Sequence, residues 1–234
     1  MIYKERASQM GKIMTNPRSK SEVISKTAKT RLEEYFLEDL YSIRKEFWSK
    51  QMTKGIEVED ESIILAAKKL GLFNIKKNEE FFENDFFTGT PDVITDEIII
   101  DVKSSWSGNT FPFFEDEIPT KDYFYQLQAY MSLTGRRMSY LVYCLVDAPE
   151  DMIQDETRRQ AWQHKLIDVP QEFEEKVREQ MTFGQIPEMN RVKVFEVPYN
   201  EEIVKEMEER VILCRDYFSS LIEKIDNNSK SFKI

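Results

Sequence analysis

A short apolar stretch with two embedded charges constrains this fold more than any other part of the chain. Residues 89–107 read GTPDVITDEIIIDVKSSWS, and the isoleucine and valine residues at 98–102 predict a buried strand. Side chains two residues apart on a strand project from the same face, so Asp101 and Lys103 are predicted to lie side by side. Charged groups are rarely buried without a partner, and this pair therefore requires a specific role.

A hairpin is predicted to bring a second acid, Asp92, toward this pair. A Gly-Thr-Pro turn precedes it, and residues 92–94 and 97–104 have the pattern of two strands that pair around a Thr-Asp turn. Two neighbouring carboxylates repel each other unless a proton or a cation lies between them. Lys103 supplies one positive charge close to Asp101, and a divalent metal would supply more.

A third acid, Glu59, lies on a predicted helix at 54–70 that Gly71 ends. At 100° per residue, Glu59 falls on the apolar stripe of this helix, whereas Glu57 and Glu61 fall outside it. An acid on the core-facing side is costly unless it is paired or binds a metal, so Glu59 is the predicted third carboxylate. The stripe consists of Ile56, Ile63, Ala66, Ala67 and Leu70.

A helix predicted at 120–134, ended by Gly135, contributes two polar residues. Gln126 and Tyr130 are four residues apart and share a face of this helix. A glutamine can orient a water molecule or a metal ligand, and a tyrosine can contact phosphate or stack on a base. Both residues are therefore predicted to belong to the same site.

Each of these signals has an ordinary structural explanation when it is taken alone. A Pro-Asp dipeptide is common turn chemistry, and an Asp-x-Lys strand is often a surface ion pair. Glu59 could be a capping acid in the first turn of its helix. All four pieces in this order, on these elements, favour a functional site instead.

The residue types suit hydrolysis of a phosphodiester bond. Carboxylate oxygens bind Mg²⁺, and the metal lowers the pKa of a bound water and neutralises charge on the phosphate. Lys103 can position that water or stabilise the charge of the transition state. The predicted metal ligands are Glu59, Asp92, Asp101 and the backbone carbonyl of Val102.

The rest of the pattern predicts an α/β chain, with a small mixed central sheet flanked by helices. Residues 1–234 are predicted to form a single domain. Further predicted elements are a helix at 21–47 capped by Ser19 or Ser21, strands at 79–88, 139–146 and 191–197, a helical insertion at about 150–185, and a helix at 200–225.

The net charge of −10 at first argues against a nucleic-acid partner, but the charge is unevenly distributed. Residues 1–31 carry eight basic and two acidic residues, a net charge of +6. They are predicted to form a basic arm, which can grip a phosphate backbone or simply remain solvated.

Composition also excludes several classes of protein. The single histidine does not fit nucleases that use a histidine base together with histidine metal ligands, and the lack of a G-x-x-x-x-G-K-[ST] sequence excludes ATP hydrolysis by a P-loop. Two cysteines are too few for an iron–sulfur cluster and fit a reducing, cytoplasmic setting. No apolar run approaches the length of a membrane span.

The order of motifs G-x-x-x-E, P-D, D-x-K and Q-x-x-x-Y resembles the PD-(D/E)XK nuclease superfamily, whose core is restriction-endonuclease-like. Here these motifs are Gly55/Glu59, Pro91/Asp92, Asp101/Lys103 and Gln126/Tyr130. Within the superfamily, the segments YQLQAYMSLTG, SYLVYCLVDAP and VKVFEVPYNEE are similar to the lambda-type, YqaJ-like viral exonucleases. An N-terminal pattern of Arg6, Gly11, Ile13 and Thr15 adds to the similarity.

The resemblance implies Mg²⁺-dependent digestion of duplex DNA from an end, 5′ to 3′, with Mn²⁺ able to substitute. It also implies a ring-shaped homotrimer and partnership with a single-strand annealing protein in phage recombination.

A terminal-phosphate pocket near the N-terminus is implied as well. Relatives have Thr-x-Ser in this turn, whereas this chain has Thr-Asn-Pro at 15–17 and Ser19 later. Trp106, in the loop after the central strand, is able to stack on a base. The predicted DNA contacts are Arg6, Lys12, Thr15, Arg18, Ser19 and Trp106.

Two other hypotheses remain open. A RecB-like or Cas4-like nuclease subunit without an iron–sulfur cluster would keep the same site. A non-catalytic DNA-binding relative would keep the fold without cleaving DNA, although it would have no need to retain all four charged residues of the motif set.

Overall fold

The computed structural model describes residues 2–43 and 49–231, with side chains described as far as residue 225. A small sheet near the N-terminus consists of β1 (Glu5–Arg6), β2 (Phe82–Glu83) and β3 (Phe87–Gly89). Its order is β1-β3-β2, with β1 parallel and β2 antiparallel to β3. This sheet joins the start of the chain to the segment that leads into the predicted hairpin.

The central sheet consists of β4 (Val93–Ile94), β5 (Ile98–Ser104), β6 (Met138–Cys144) and β7 (Val192–Pro198). Its order is β4-β5-β6-β7, with β5 parallel to β6 and both outer strands antiparallel to their neighbours. The predicted hairpin is confirmed as β4 and β5, and the predicted α/β class with a small mixed sheet is confirmed as well.

Helices make up most of the remaining described chain. They are α1 (Met10–Ile13), α2 (Lys26–Tyr41), α3 (Lys50–Glu57), α4 (Glu59–Leu70), α5 (Lys121–Thr134), α6 (Glu150–Gln163), α7 (Gln171–Met181) and α8 (Glu201–Ser231). Single 3₁₀ turns lie at Ala7–Gln9, Gly108–Thr110 and Glu188–Asn190. No helix in the described ranges is both long and apolar enough to cross a lipid bilayer.

Two apolar layers cover the two faces of the central sheet. On one face, α4 packs on the sheet through Ile63 and Ala66, against Ile100 and Val102 of β5. On the other face, Ile99 of β5 packs in a layer shared with α5 and α8. Because strand side chains alternate, Asp101 projects to the side of Ile99 and therefore toward α5.

The predicted helix at 54–70 is wrong as a single element. The helix is interrupted at Val58, whose φ of −108° and ψ of 16° separate α3 from α4. Ile56 is therefore 57% exposed and does not share the buried stripe of Ile63 and Ala66. The predicted end is confirmed, since Gly71 adopts a left-handed φ of 67° that glycine tolerates best.

The predicted helix at 21–47 begins later than expected. Its N-cap is Ser25, whose Oγ accepts the Ala28 N–H at 3.0 Å, rather than Ser19 or Ser21. The helix ends at Tyr41, and residues 44–47 of the prediction lie outside the described residues.

The predicted strand at 79–88 is also wrong as one element, because a tight turn divides it into β2 and β3. Asn84 Oδ1 accepts the N–H groups of Phe86 and Phe87, both at 2.8 Å, and reverses the chain. The short β2 and β3 are consequently antiparallel neighbours.

The basic N-terminal segment is built into the fold. Tyr3, Met10 and Ile13 are almost completely buried in the core layer that contains α8. The predicted insertion folds as α6 and α7 around a small core of its own, against which Trp106 packs. That contact joins the insertion to the loop that follows β5.

Candidate active site

The hairpin positions the first two predicted acids. Asp92 follows the turn, and its Oδ2 accepts the backbone N–H of Val102 at 2.7 Å. The register pairs Val93 with Ile100, so continuing it by one residue places Asp92 opposite Asp101. Local chain geometry therefore brings the two carboxylates together, as the sequence predicted.

Asp101 is the most enclosed group of the site, with 1% of its side chain exposed. Its Oδ1 accepts a hydrogen bond from Gln126 Nε2 at 3.0 Å. Its Oδ2 accepts no directed hydrogen bond from the described residues, and its close contact is the Lys103 ammonium at 2.7 Å. One oxygen of this buried carboxylate therefore has a charge beside it but no hydrogen-bond donor among the described residues.

Lys103 lies at the rim of the sheet and reaches both the acids and an aromatic ring. A quarter of its side chain is exposed, and Nζ lies 5.0 Å from the centre of the Tyr123 ring. Burial opposes its charge, but the charges of Asp101 and Asp92 outweigh burial and raise the pKa of Lys103. The ammonium is therefore held in its charged form.

Helix α5 supplies the predicted polar pair. Gln126 is 7% exposed, and its Nε2 also donates to the Tyr130 hydroxyl at 3.1 Å. The Tyr130 ring lies so close to Gly89 that a Cβ at that glycine would sit 2.6 Å from Tyr130 Cε1. The structure thus connects Gln126 directly to Asp101, and Tyr130 through Gln126.

The site is electrostatically unbalanced. Burial, and after it the charge of Asp101, raises the pKa of Asp92 to about 7, although Lys103 and the Val102 hydrogen bond oppose the shift. With both acids ionised, the two carboxylates outnumber the Lys103 ammonium by one charge. A bound cation would relieve that excess.

Glu59 does not join the other two acids. It is the first residue of α4 and lines the same cleft as Asp92 and Lys103, but its Oε2 accepts Lys77 Nζ at 2.7 Å. Among the described residues, no group of three or more acidic, histidine or cysteine side chains lies close enough to hold a metal ion. The structure therefore assembles two of the three predicted carboxylates.

The residues present nevertheless fit a hard divalent cation in part. Asp92 and Asp101 offer carboxylate oxygens, the ligand type that Mg²⁺ prefers, and Asp101 Oδ2 has no directed hydrogen bond. The raised pKa of Asp92 reflects the repulsion that such a cation would remove. Coordination by Glu59 and by the Val102 carbonyl stays a prediction.

An open cleft of about 640 Å³ leads to the acids. One wall is α3, and the opposite side is the loop that follows β5. Trp106 lines this cleft and is half-buried against the insertion. The residues that line the cleft include Gln51, Met52, Glu59, Asp92, Lys103, Trp106, Tyr123 and Gln126.

The predicted phosphate-binding residues are divided between different surfaces. Lys12, Thr15 and Arg18 line one concavity of about 790 Å³ beside the start of α2. Arg6 lies in another cavity, where its Nη2 bonds Glu38 Oε2 at 2.7 Å. Ser19 contacts Ser21 through their hydroxyls at 2.8 Å and does not line either cavity.

Sequence reasoning missed two residues that touch the site. Tyr123 precedes Gln126 by three residues, so the spacing of the same helix face could have found it. Lys77 lies in an irregular segment with no periodic pattern, and the sequence carries no signal for its contact with Glu59.

Solved structures resemble this chain over almost its whole length. A phage-related exonuclease from Haemophilus somnus 129PT is 28% identical, with a TM-score of 0.78 over 96% of this chain and 97% of that one. The alkaline exonuclease LHK-Exo from Laribacter hongkongensis is 15% identical, with a TM-score of 0.68 over 97% of this chain and 94% of that one. The same enzyme in complex with dAMP is 16% identical, with a TM-score of 0.66 over the same shares.

This chain has the fold of the phage-related exonucleases. The resemblance to lambda-type exonucleases that the motifs indicated is thereby confirmed in structure. No protein-family model matches the sequence, and no curated protein matches it either. Within this exonuclease fold, Asp92, Asp101 and Lys103 lie on the central hairpin, with Gln126 and Tyr130 on the helix that packs against it.

Proposed function

We propose that this protein is a metal-dependent exonuclease that degrades duplex DNA from an end. The observation that carries the proposal is the pair of adjacent carboxylates with a single ammonium, set in the fold of known exonucleases. A buried site with excess negative charge has little structural benefit, because unpaired buried charge destabilises a protein. Its arrangement is suited to receive a cation and a phosphate.

Each residue of the site has a separate role in the proposed hydrolysis. A divalent cation held by Asp92 and Asp101 would lower the pKa of a bound water and neutralise charge on the scissile phosphate. Gln126 orients the Asp101 carboxylate through its 3.0 Å hydrogen bond to Oδ1, which leaves Oδ2 beside the Lys103 ammonium. The Lys103 ammonium stays charged beside that oxygen and stabilises the negative charge that develops on the phosphate.

The basic concavity beside α2 supports binding of a DNA end. Lys12, Thr15 and Arg18 supply two positive charges and a hydroxyl around one opening, which fits a phosphate. LHK-Exo binds dAMP, and we extend nucleotide binding of this kind to the present chain. The 5′-to-3′ direction, the homotrimer, the annealing partner, the role in phage recombination and the requirement for Mg²⁺ or Mn²⁺ belong to the same proposal.

Linear and closed circular duplexes of the same sequence test the end requirement. We expect Mg²⁺-dependent release of nucleotides from the linear DNA, none from the circle, and none from either in EDTA. Asp101→Asn should abolish release, whereas Asp96→Asn at the exposed tip of the hairpin should retain it. Equal cutting of the circle would leave a nuclease but exclude an exonuclease, and binding without cleavage in Mg²⁺ and Mn²⁺ would favour a non-catalytic relative.

The polarity and the phosphate site need a second experiment. Duplexes labelled on either strand, with a 5′-phosphate or a 5′-hydroxyl, should show faster loss of the 5′-phosphorylated strand. Arg18→Gln should reduce this preference, whereas Lys20→Gln, a nearby basic residue outside the concavity, should keep it. Identical rates on both kinds of end in the wild-type protein would remove the concavity from the proposal.

A further inference from the structure

Glu59, the third metal ligand that the sequence predicts, forms an ion pair with the ammonium of Lys77. Lys77 Nζ donates to Glu59 Oε2 at 2.7 Å, and 44% of the lysine side chain and 22% of the glutamate side chain are exposed. The two residues are 18 positions apart in the sequence, so the contact depends on the tertiary fold. It accounts for the fact that Glu59 lines the cleft without joining Asp92 and Asp101.

The backbone beside Lys77 is fixed to the turn that carries Asp92. Asn78 N–H donates to the Asp92 carbonyl at 2.7 Å, and Asn78 Nδ2 donates to the Pro91 carbonyl at 2.9 Å. Lys77 is therefore attached at its backbone to the hairpin and at its ammonium to the start of α4. The lysine bridges the two elements that carry the separated acids.

The acidic groups near Lys77 are the same groups that a divalent cation in the cleft would approach. Its hydrogen bond to Glu59, and the charges of Glu59, Asp60 and Asp92, raise the pKa of Lys77. The charge of Glu59 in turn contributes to the raised pKa of Asp92. The carboxylate that the ammonium contacts directly, and for which a cation would compete, is that of Glu59.

We propose that Lys77 is an internal counter-ion that competes with the catalytic cation for Glu59. In the metal-free protein the ion pair holds Glu59 away from Asp92 and Asp101. Binding of the cation breaks this pair, and Glu59 completes the ligand set. The inference rests on the proposed metal-dependent function, but it concerns the affinity for the cation rather than the cleavage step.

A purely structural ion pair makes a different prediction. Partly exposed ion pairs contribute little to stability, and the loss of a purely structural pair has no reason to strengthen the binding of a cation. Competition means that removing the lysine charge strengthens binding, and that the gain requires the Glu59 carboxylate. The two explanations therefore differ in the change in cation affinity that they predict when the lysine charge is removed. Competition predicts tighter binding, and a purely structural ion pair does not.

The experiment measures Mn²⁺ affinity by calorimetry on the full chain without DNA. Lys77→Gln should bind Mn²⁺ about two- to fivefold more tightly than wild type, the range that an ion pair of this kind can contribute. Lys76→Gln removes the neighbouring positive charge and is the matched control, which should bind as wild type. In a Glu59→Gln background, Lys77→Gln should produce no gain, because the group for which lysine and metal compete is gone.

The other possible results contradict either the competition between Lys77 and the cation or the proposed metal-dependent function. Equal affinities of the Lys77→Gln and Lys76→Gln proteins, weaker binding by Lys77→Gln, or a gain that survives Glu59→Gln would overturn the competition. A further possible result is that wild type binds Mn²⁺, that Asp101→Asn abolishes this binding, and that Lys77→Gln brings no gain. This result would overturn the competition and leave the proposed function standing. Absence of Mn²⁺ binding in both wild type and Lys77→Gln would overturn both.

Discussion

Two buried ion pairs, in the two sheets of this protein, have opposite characters. At the N-terminal sheet, Glu5 of β1 and Arg31 of α2 are 0% and 3% exposed at their side chains and lie 2.9 Å apart. Both oxygens of Glu5 are satisfied, since Tyr3 donates its hydroxyl to Oε2 at 2.5 Å and the Arg6 N–H donates to Oε1 at 2.8 Å. One acid meets one base in a neutral arrangement that is closed to solvent, and Arg31 Nε is the atom of the pair that finds no hydrogen-bond partner among the described residues.

The pair in the central sheet is neither closed nor neutral. Asp101 is as buried as Glu5, but Lys103 is a quarter exposed and Asp92 adds a second negative charge. In the part of the chain that the structure describes, Asp101 Oδ2 accepts no directed hydrogen bond. Burial of charge alone therefore does not identify a functional site. The excess of one sign of charge, beside an open cleft, is what favours a functional site at Asp92 and Asp101.

The largest expected effect follows from removing the single ammonium of the unbalanced site. Lys103→Met should lower the rate constant for Mg²⁺-dependent cleavage by about a thousandfold, because the charge of the transition state loses its neighbour. Single-turnover kinetics on a linear duplex measure this change.

Lys193→Met on β7 is the matched control. Like Lys103, Lys193 is a strand lysine with Nζ over an aromatic ring, and both pair in register with Tyr143. The control should keep its activity. A fully active Lys103→Met protein would remove this lysine from the site.

Breaking the closed pair should affect stability instead. Arg31→Met leaves Glu5 buried without its counter-charge, and we expect a loss of about 3–5 kcal/mol in the free energy of unfolding, measured in urea. Adding Glu5→Gln should recover part of that loss, because the stranded charge is removed. The cleavage rate of the remaining folded protein should stay near wild type, and a loss like that of Lys103→Met would contradict the comparison.

The last expected effect is a dependence of metal-free stability on pH. The pKa of Asp92 is about 7 in the folded protein and near 4 in an unfolded chain, so the folded state holds a proton that the unfolded chain releases. In EDTA, the free energy of unfolding should therefore fall as pH rises from about 4 through 7. Asp92→Asn should abolish this decline and be more stable than wild type at pH 8.5, by on the order of a few kcal/mol.

Asp96→Asn, at the exposed tip of the same hairpin, should keep the wild-type dependence on pH. Added Mg²⁺ should restore wild-type stability at pH 8.5, since a ligand that binds only the folded state stabilises it. A wild-type protein whose stability in EDTA is constant from pH 4 to 8.5 would show that Asp92 carries no excess charge.

Local patterns predicted the parts of the site that lie on one hairpin and one helix. Asp92, Asp101 and Lys103 are held by strand pairing within twelve residues, and Gln126 and Tyr130 by helical spacing. These relations depend on backbone periodicity, which the sequence displays directly.

The parts that could not be predicted depend on distant contacts. Glu59 pairs with Lys77 and Glu5 with Arg31, across 18 and 26 positions without any periodic relation. The break at Val58 likewise involves tertiary packing, since Val58 is buried in the apolar layer that covers the central sheet. Propensity alone favours one continuous helix there.

The alternation of polar and apolar side chains along β5 has a consequence for folding. A slip of one residue between β5 and its neighbours would turn the Asp101 carboxylate into the apolar layer under α4 and turn Val102 toward α5. A slipped molecule would then have neither a metal site nor an intact core. The fraction of refolded molecules that bind a cation should therefore equal the fraction in which β5 has its correct register with the neighbouring strands.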